Sequence, residues 1–365
     1  MKQEHGPKVT RLNNLGANTS DEKIYVGAND KGYYIDSLKN PIHNIVKLTI
    51  EELNIILKKN DLINFIQKKY NFQLKNIVFF DLHHKIQIDK YNCLKNINIY
   101  LYVIDDHHDI RLGLPKYNDF ITNNQLKLLC CYAYNLGSCN PIHNKIKENI
   151  FFPHSVIHKI EINNNPITKI LACGRGFKNI QRYPYRNKIY KLSLINKNIE
   201  YLRSKSNYRG NPNLTSKGCW GNNFIKTLNK YLIVFCDEAN INTNCAYIIA
   251  KFFEIMSAGC LLLTYNPHTE KFFDKLGFIK NQHYIYINLQ ESNEQIFKNI
   301  NEILHKSNRE KIDEIRNNAY KKVWEYHSSE ARFNYLLNIL NNTEKLIEYT
   351  DGIKNTKYLY KKSHP

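Results

Sequence analysis

Short apolar runs that alternate with segments of helical spacing constrain this chain more than any other feature. Asn76–Phe80, Ile97–Ile104 and Leu126–Tyr134 are such runs in the first half. Thr168–Cys173, Tyr231–Cys236 and Cys260–Thr264 repeat the pattern in the second. A strand covered on both faces reads as a continuous apolar run, which is the signature of a buried parallel sheet. Between the runs, Leu53–Tyr70 places Leu53, Ile56, Leu57, Ile63 and Ile66 at helical spacing. Lys188–Leu202 reads as helical and then strand-like at its end, and Tyr208–Gly221 as a loop. Ala246–Ala258 reads as a helix closed by Gly259 in the usual C-cap position. Ser307-Asn308-Arg309-Glu310 has the form of a capping box ahead of a helix carrying Ile312, Ile315, Ala319, Val323 and Trp324. Ser328 or Ser329 then caps a last helix, with Phe333, Leu336, Leu337 and Leu340 on one stripe. This alternation predicts an α/β fold with helices on the faces of parallel sheets. It predicts two α/β halves meeting between about Phe151 and Pro166. Residues 1–40 are polar apart from Lys23–Ala28 and read as an appendix or edge element.

The 365 residues give room for two domains of roughly 150 residues each. A hydrophobic share of 42% excludes wholesale disorder. A membrane span needs about 18 uncharged apolar residues. The most apolar window, Ala246–Leu263, is interrupted by Lys251 and Glu254. The start, Met-Lys-Gln-Glu-His-Gly, lacks the apolar stretch of a secretory signal. Nine cysteines form no Cys-x-x-Cys pair, and Cys130, Cys131 and Cys139 cluster without a second ligand pair for zinc. Cys173, Cys236 and Cys260 lie in apolar runs as small hydrophobes. A reducing, cytoplasmic setting is the expectation.

Lysine and arginine total 52 against 33 acidic residues, a net charge of +19. Two readings stay open. An AT-rich genome, for example that of a virus or parasite of host cytoplasm, writes Lys- and Asn-rich proteins whatever their task. A phosphate-bearing ligand would also be served by the charge. The basic residues are scattered and match no nucleic-acid-binding motif, so nucleic acid is not an expected partner.

Polar residues stand in an odd place within Lys251-Phe-Phe-Glu254-Ile-Met-Ser-Ala-Gly259-Cys-Leu-Leu-Leu263. Lys251 and Glu254 share one helix face, near the start of a helix that follows a strand. Ligands of open α/β sheets bind at that carboxyl edge. A carboxylate suits the two hydroxyls of a ribose, and a lysine at a helix N-terminus suits a diphosphate. The competing reading is a solvated i, i+3 ion pair on an ordinary amphipathic helix.

The stretch from about Asn244 to Leu340 resembles the C-terminal half of GT-B glycosyltransferases, especially the CgeB-like, spore-maturation-type family. Lys251–Leu263, Leu276-Gly277, His283-Tyr284-Ile285-Tyr286, and Ala319–Leu337 with His327 and Arg332 carry the likeness. Ile170–Arg186, with Gly174 and Tyr183-Pro184-Tyr185-Arg186, is similar to the opening strand and loop of the same domain. The resemblance implies two Rossmann-like domains facing each other across a cleft. It implies an appendix at 1–40, an acceptor domain at 41–160 and a nucleotide-sugar domain at 161–328. A closing helix and tail at 329–365 would pack back on the first domain. Glu254 would hold the donor ribose and Lys251 would lie near the diphosphate. Many retaining members carry a second glutamate eight positions earlier, where this chain has Ala246. The implied activity is transfer of a sugar, hexosyl in type, from a nucleotide-sugar to an unknown glycan, protein or small-molecule acceptor. No cofactor and no metal are expected.

Further candidates complete the site. Arg175 and Lys178 follow a strand beside Gly174 and Gly176, where a backbone can approach phosphate and an arginine can fork onto it. Arg186 is a weaker copy of that argument. His154 stands at the inter-domain junction and is expected to face the cleft. Phe80-Asp81-Leu82-His83-His84 and Ile104-Asp105-Asp106-His107-His108-Asp109 end two strands alike. If those strands are parallel neighbours, the clusters share one sheet edge. There Asp106, His107 or Asp105 would serve as catalytic base. The same clusters are the basis of a rival reading, a metal-dependent hydrolase. A third is a non-enzymatic basic binding protein derived from a transferase.

Overall fold

The computed structural model describes residues 10–11, 22–27, 45–48, 50–59, 61–70, 74–80, 94, 96–103, 123, 125–130, 148–173, 183–202, 221–237, 248–265, 270, 273–274, 276–341, 347–348 and 356–358. They fall into two units. The first draws on Met1–Pro153 and Arg332–Lys361, and the second chiefly on His154–Ala331.

The first unit contains β1 (Thr10–Arg11), β2 (Glu22–Gly27), β3 (Ile45–Leu48), α1 (Ile50–Lys58), α2 (Leu62–Tyr70), β4 (Leu74–Phe80), β5 (Asn98–Val103), β6 (Leu126–Cys130) and β7 (Glu148–Phe151). Among the described residues its sheet has nine strands, two of them, β13 (Ile347–Glu348) and β14 (Thr356–Tyr358), from the end of the chain. The order is β1-β3-β2-β4-β5-β6-β7-β14-β13. From β3 to β14 every pairing is parallel. Ile77, Val78, Ile99, Tyr100, Leu101, Tyr102, Leu128 and Leu129 are all buried, so consecutive residues are covered on both faces. That is why the sequence shows runs here rather than alternation. Two differences from the sequence reading are physical. Residues 22–27 are no appendix: β2 lies between β3 and β4, its Ile24 level with Val46 and Ile77. Leu53–Tyr70 forms two helices, because the Lys59 amide closes on the Ile56 carbonyl and Asp61 opens a new turn, its carbonyl accepting from the Phe65 amide at 2.7 Å.

The second unit contains β8 (Ile167–Cys173), α3 (Pro184–Ser193), β9 (Ile199–Leu202), α4 (Gly221–Leu228), β10 (Tyr231–Phe235), α5 (Ala250–Ser257), β11 (Leu261–Thr264), β12 (Tyr284–Tyr286), α6 (Asn293–Leu304) and α7 (Arg309–Tyr326). Among the described residues its five strands are all parallel, in the order β12-β11-β10-β8-β9. Chain order therefore reverses between β8 and β10, the topological switch point of a doubly wound sheet. Proline at the first helical position starts α3, where its missing N–H costs nothing. The expected capping box is not formed. Ser307 lies in a single 3₁₀ turn, its amide donating to His305 Nδ1, and Asn308 precedes α7 without a side-chain cap. Ser328 does cap α8 (Ser329–Asn341): its hydroxyl accepts from the Ala331 amide at 3.1 Å.

The apolar stripe of α8 belongs to the first unit. Phe333, Leu336, Leu337, Ile339 and Leu340 are buried with Val78, Tyr100, Tyr102, Leu129, Ile150 and Phe152. Tyr335 stacks on Phe152 with ring centres 5.5 Å apart.

Candidate functional site

The carboxyl ends of β8 and β10 meet at the switch point. Ala172 is level with Phe235, so the next residues, Cys173 and Cys236, are neighbours across the two strands. One residue further on, Asp237 is fully buried and meets Arg186 from the first turn of α3. The Arg186 Nε donates to Asp237 Oδ1 and the Nη2 to the Asp237 carbonyl. The guanidinium lies over the Tyr183 ring at 4.3 Å. Burial opposes the Arg186 charge, but Asp237 outweighs it and holds the guanidinium charged. Burial pushes the Asp237 carboxyl up from its ordinary range, with Arg186 pulling it back. The other carboxylate oxygen, Oδ2, is buried and makes no hydrogen bond among the described residues. Arg186 was expected as a fork for donor phosphate. Its Nε and Nη2 instead close on Asp237, and the expectation is corrected to a buried internal ion pair.

Helix α5 brings the two residues singled out in the sequence to the same place. Lys251 occupies its first turn, half-buried, and Glu254 lies one turn on, 8% exposed. Burial raises the Glu254 carboxyl above its ordinary value, and Lys251 partly offsets this. Among the described residues no ion pair closes between them, and the face they share is not a solvated one. Cys173 reports how tightly the groups converge. Its thiol is pushed up to about 11 by burial, with Lys251, Arg186, Glu254 and Asp237 all close enough to act on it. Burial also pushes up the Cys236 thiol, so both cysteines are inert packing residues here.

Aromatic rings continue the edge. Tyr265, directly after β11, packs edge-on to Tyr185 at 4.5 Å and tilts against Tyr286 at 5.1 Å. Within α5, Phe252 and Phe253 face inward onto Phe273 and Phe278, and His327 lies against Phe253 and Phe278. One helix thus keeps its apolar residues inside while a carboxylate stays at the strand ends.

The segments leaving the strand ends, 174–182, 203–220, 238–247 and 266–269, lie outside the described residues. With them go Gly174, Arg175, Lys178 and Ala246. Asp105, Asp106 and His107 also lie outside, as do residues 81–84. Their strands β4 and β5 are parallel neighbours, with Phe80 level with Tyr102, and β5 is the fifth of the nine strands described. His154 is buried at the first position of the second unit. Beside it the Val156 amide donates to His327 at 3.0 Å, and its carbonyl accepts from Ser329 at 2.8 Å. Among the described residues no group of three His, Cys, Asp or Glu is placed to hold a metal ion. Asp237 escaped the sequence reading. Its only signal is its position, a lone carboxylate just past an apolar strand, and that signal gains meaning once strand order is known.

Residues 201–338, which contain Asp237, Lys251 and Glu254, match the sequence family described as "Glycosyl transferase-like". A glycosyltransferase from Rickettsia africae ESF-5 has a similar structure over 89% of this chain and 99% of that one, at 12% identity and a TM-score of 0.52. The fold is that of the GT-B glycosyltransferases, with two Rossmann-like domains. The Anabaena protein Alr3699/HepE, solved in complex with UDP-glucose, aligns over 88% of this chain and 99% of its own at 9% identity and a TM-score of 0.45. The "Probable cell division protein WhiA" of Clostridium botulinum (strain Hall / ATCC 3502 / NCTC 13319 / Type A) is 25% identical over 197 residues, 50% of this chain and 53% of that protein. This chain spans about half the length of the curated relatives it matches.

Proposed function

We propose that the protein transfers a sugar, hexosyl in type, from a nucleotide-sugar donor to an acceptor. One observation carries the reading: the buried Glu254 and the adjacent Lys251 stand at the switch point of a parallel sheet, inside the segment that matches a glycosyl transferase-like family. Glu254 accepts hydrogen bonds from the donor ribose, and Lys251 meets the diphosphate. Gly174, Arg175 and Lys178 belong to the segment after β8 and would complete the phosphate side. Asp106, with His107 and Asp105 as alternatives, would take the proton of the acceptor hydroxyl. Within this reading the family is CgeB-like, the setting is a reducing cytoplasm, and the sugar moves without a metal. No helix among the described residues is long and apolar enough to cross a membrane.

A thermal-shift screen with nucleoside diphosphates and their sugars, with and without chelator, tests this. UDP and UDP-glucose are the first probes. A ligand at 100 times its Kd adds about 2.7 kcal/mol of stability. Glu254→Ala should weaken nucleotide binding by about 1.5–3 kcal/mol. Lys251→Ala should weaken a diphosphate more than the bare nucleoside. No shift with any nucleotide, or equal loss for both ligands in both variants, would remove the donor site.

A further inference from the structure

The amino edge of the second sheet, opposite the candidate donor site, carries an apolar cluster that the proposed reaction does not use. Helix α3 ends at Ser193, and the turn into β9 holds Leu194 at 64% exposure and Ile195 at 68%. The turn is rigid rather than loose: the Leu194, Ile195 and Asn196 amides donate to Lys191 and Leu192 carbonyls, and the Ile199 amide to Asn196. Ile167, 44% exposed, opens β8 at the same edge, since Ile170 is level with Ile199. A hydrogen-bonded turn thus holds two large aliphatic side chains outward at the edge where β8 and β9 begin.

The surroundings carry several lysines and an exposed carboxylate, Glu302, beside Asn301. Lys191 and Lys197 flank the pair and are exposed. Lys230, also exposed, accepts the Ile167 amide on its carbonyl at 2.8 Å. Lys298 stands one turn before Asn301, which accepts from Asn198 in the same turn at 3.1 Å. The carboxylate of Glu200, next along β9, is occupied by Lys169 and the Tyr231 hydroxyl. Exposed aliphatic tips ringed by lysines suit a surface with an apolar interior and anionic headgroups. A nucleic-acid backbone would use the lysines but gain little from Leu194 and Ile195.

We propose that this edge docks the protein peripherally on an anionic bilayer, with Leu194 and Ile195 entering the headgroup boundary and Lys191, Lys197 and Lys230 meeting the lipid phosphates. The docked edge leaves the carboxyl edge of the same sheet facing water. Cosedimentation of the full chain with vesicles tests it, using pure phosphatidylcholine against phosphatidylcholine with phosphatidylglycerol. The expected result is pelleting with the anionic vesicles alone. Each lysine near the surface is worth roughly fivefold in partition. K191E/K197E should therefore lose well over tenfold. L194S/I195S, which leaves the charge unchanged, should also lose at least about tenfold while its melting temperature stays at the parental value. The proposal is overturned if the parent stays in the supernatant, or if L194S/I195S pellets as well as the parent, because binding would then come from charge spread over the chain.

Discussion

Glu254 is the residue where stability and function pull apart. A carboxyl raised by burial means that the folded state holds its proton more tightly than the unfolded chain does. Stability from this group is therefore complete below its ordinary value of 4.5 and is lost as pH rises through the raised folded value. Glu254→Gln keeps the shape and removes the charge. The variant should match the parent in melting temperature at acid pH and exceed it above neutrality, while losing nucleotide affinity by about 10- to 100-fold. Melting curves across that range, with and without nucleotide, check both halves. If the variant is equally stable at every pH, burial of the charge carries no cost. At this scale the sequence showed the chemistry but not the partners. Lys251 and Glu254 stood out by their three-residue spacing in an apolar window. Arg186 was visible as a cation, yet nothing in the order of residues discloses that its fork closes on Asp237. That pairing joins residues 51 positions apart and depends on β8 and β10 being neighbours.

At the scale of elements, α7 packs on the α5–β11 turn through contacts that can be named one by one. Gly259 has φ of +71°, and a Cβ there would come within 2.8 Å of Ile162 Cγ1. The glycine carbonyl accepts from Arg316 Nε at 2.7 Å, and Arg316 Nη2 reaches the Asn163 carbonyl at 3.0 Å. Tyr320 adds a hydroxyl bond to Ile160 at 2.8 Å. One face of α7 thus straps the 160–163 segment against the turn that ends α5. Gly259→Ala combines a left-handed backbone with a clash and should cost about 1–3 kcal/mol. Chemical denaturation measures it, and an unchanged midpoint would mean that Ile162 moves aside freely. The Gly259 cap was legible because a helix pattern, a glycine and a strand pattern follow one another directly. The Ser307 capping box was not, because the same four letters also permit a 3₁₀ turn, and His305 competes for the Ser307 amide. Residues 22–27 were missed for a related reason. Six residues with two charged positions, Glu22 and Lys23, look like an edge strand, and only their pairing with β3 and β4 puts them inside the sheet.

For the whole molecule, the consequential feature is that the chain returns to its first sheet after completing its second. Arg332–Lys361 belongs with the first unit, and β14 pairs in parallel with β7, Thr356 level with Asn149. The i, i+3, i+4, i+7 stripe predicted that α8 must cover an apolar surface, but a stripe has no address. The address comes from the partners: Tyr100, Tyr102 and Phe152 are almost fully buried, and the α8 side chains belong to the same cluster. Arg332 reinforces the seat, its guanidinium over the Phe152 and Tyr335 rings at 5.8 and 5.6 Å. Leu336→Ala removes a side chain that is 3% exposed, and such a truncation costs about 2–5 kcal/mol when the site cannot collapse. The loss should fall on the sheet that α8 covers. Hydrogen exchange should accelerate in β4–β7, which share a cluster with Leu336, while β8, β10 and β11 keep their protection. Nucleotide binding should survive, because Asp237, Lys251 and Glu254 all lie in the second unit. Uniform acceleration across both sheets, or loss of nucleotide binding in a variant that remains folded, would show that α8 supports more than the sheet on which it packs.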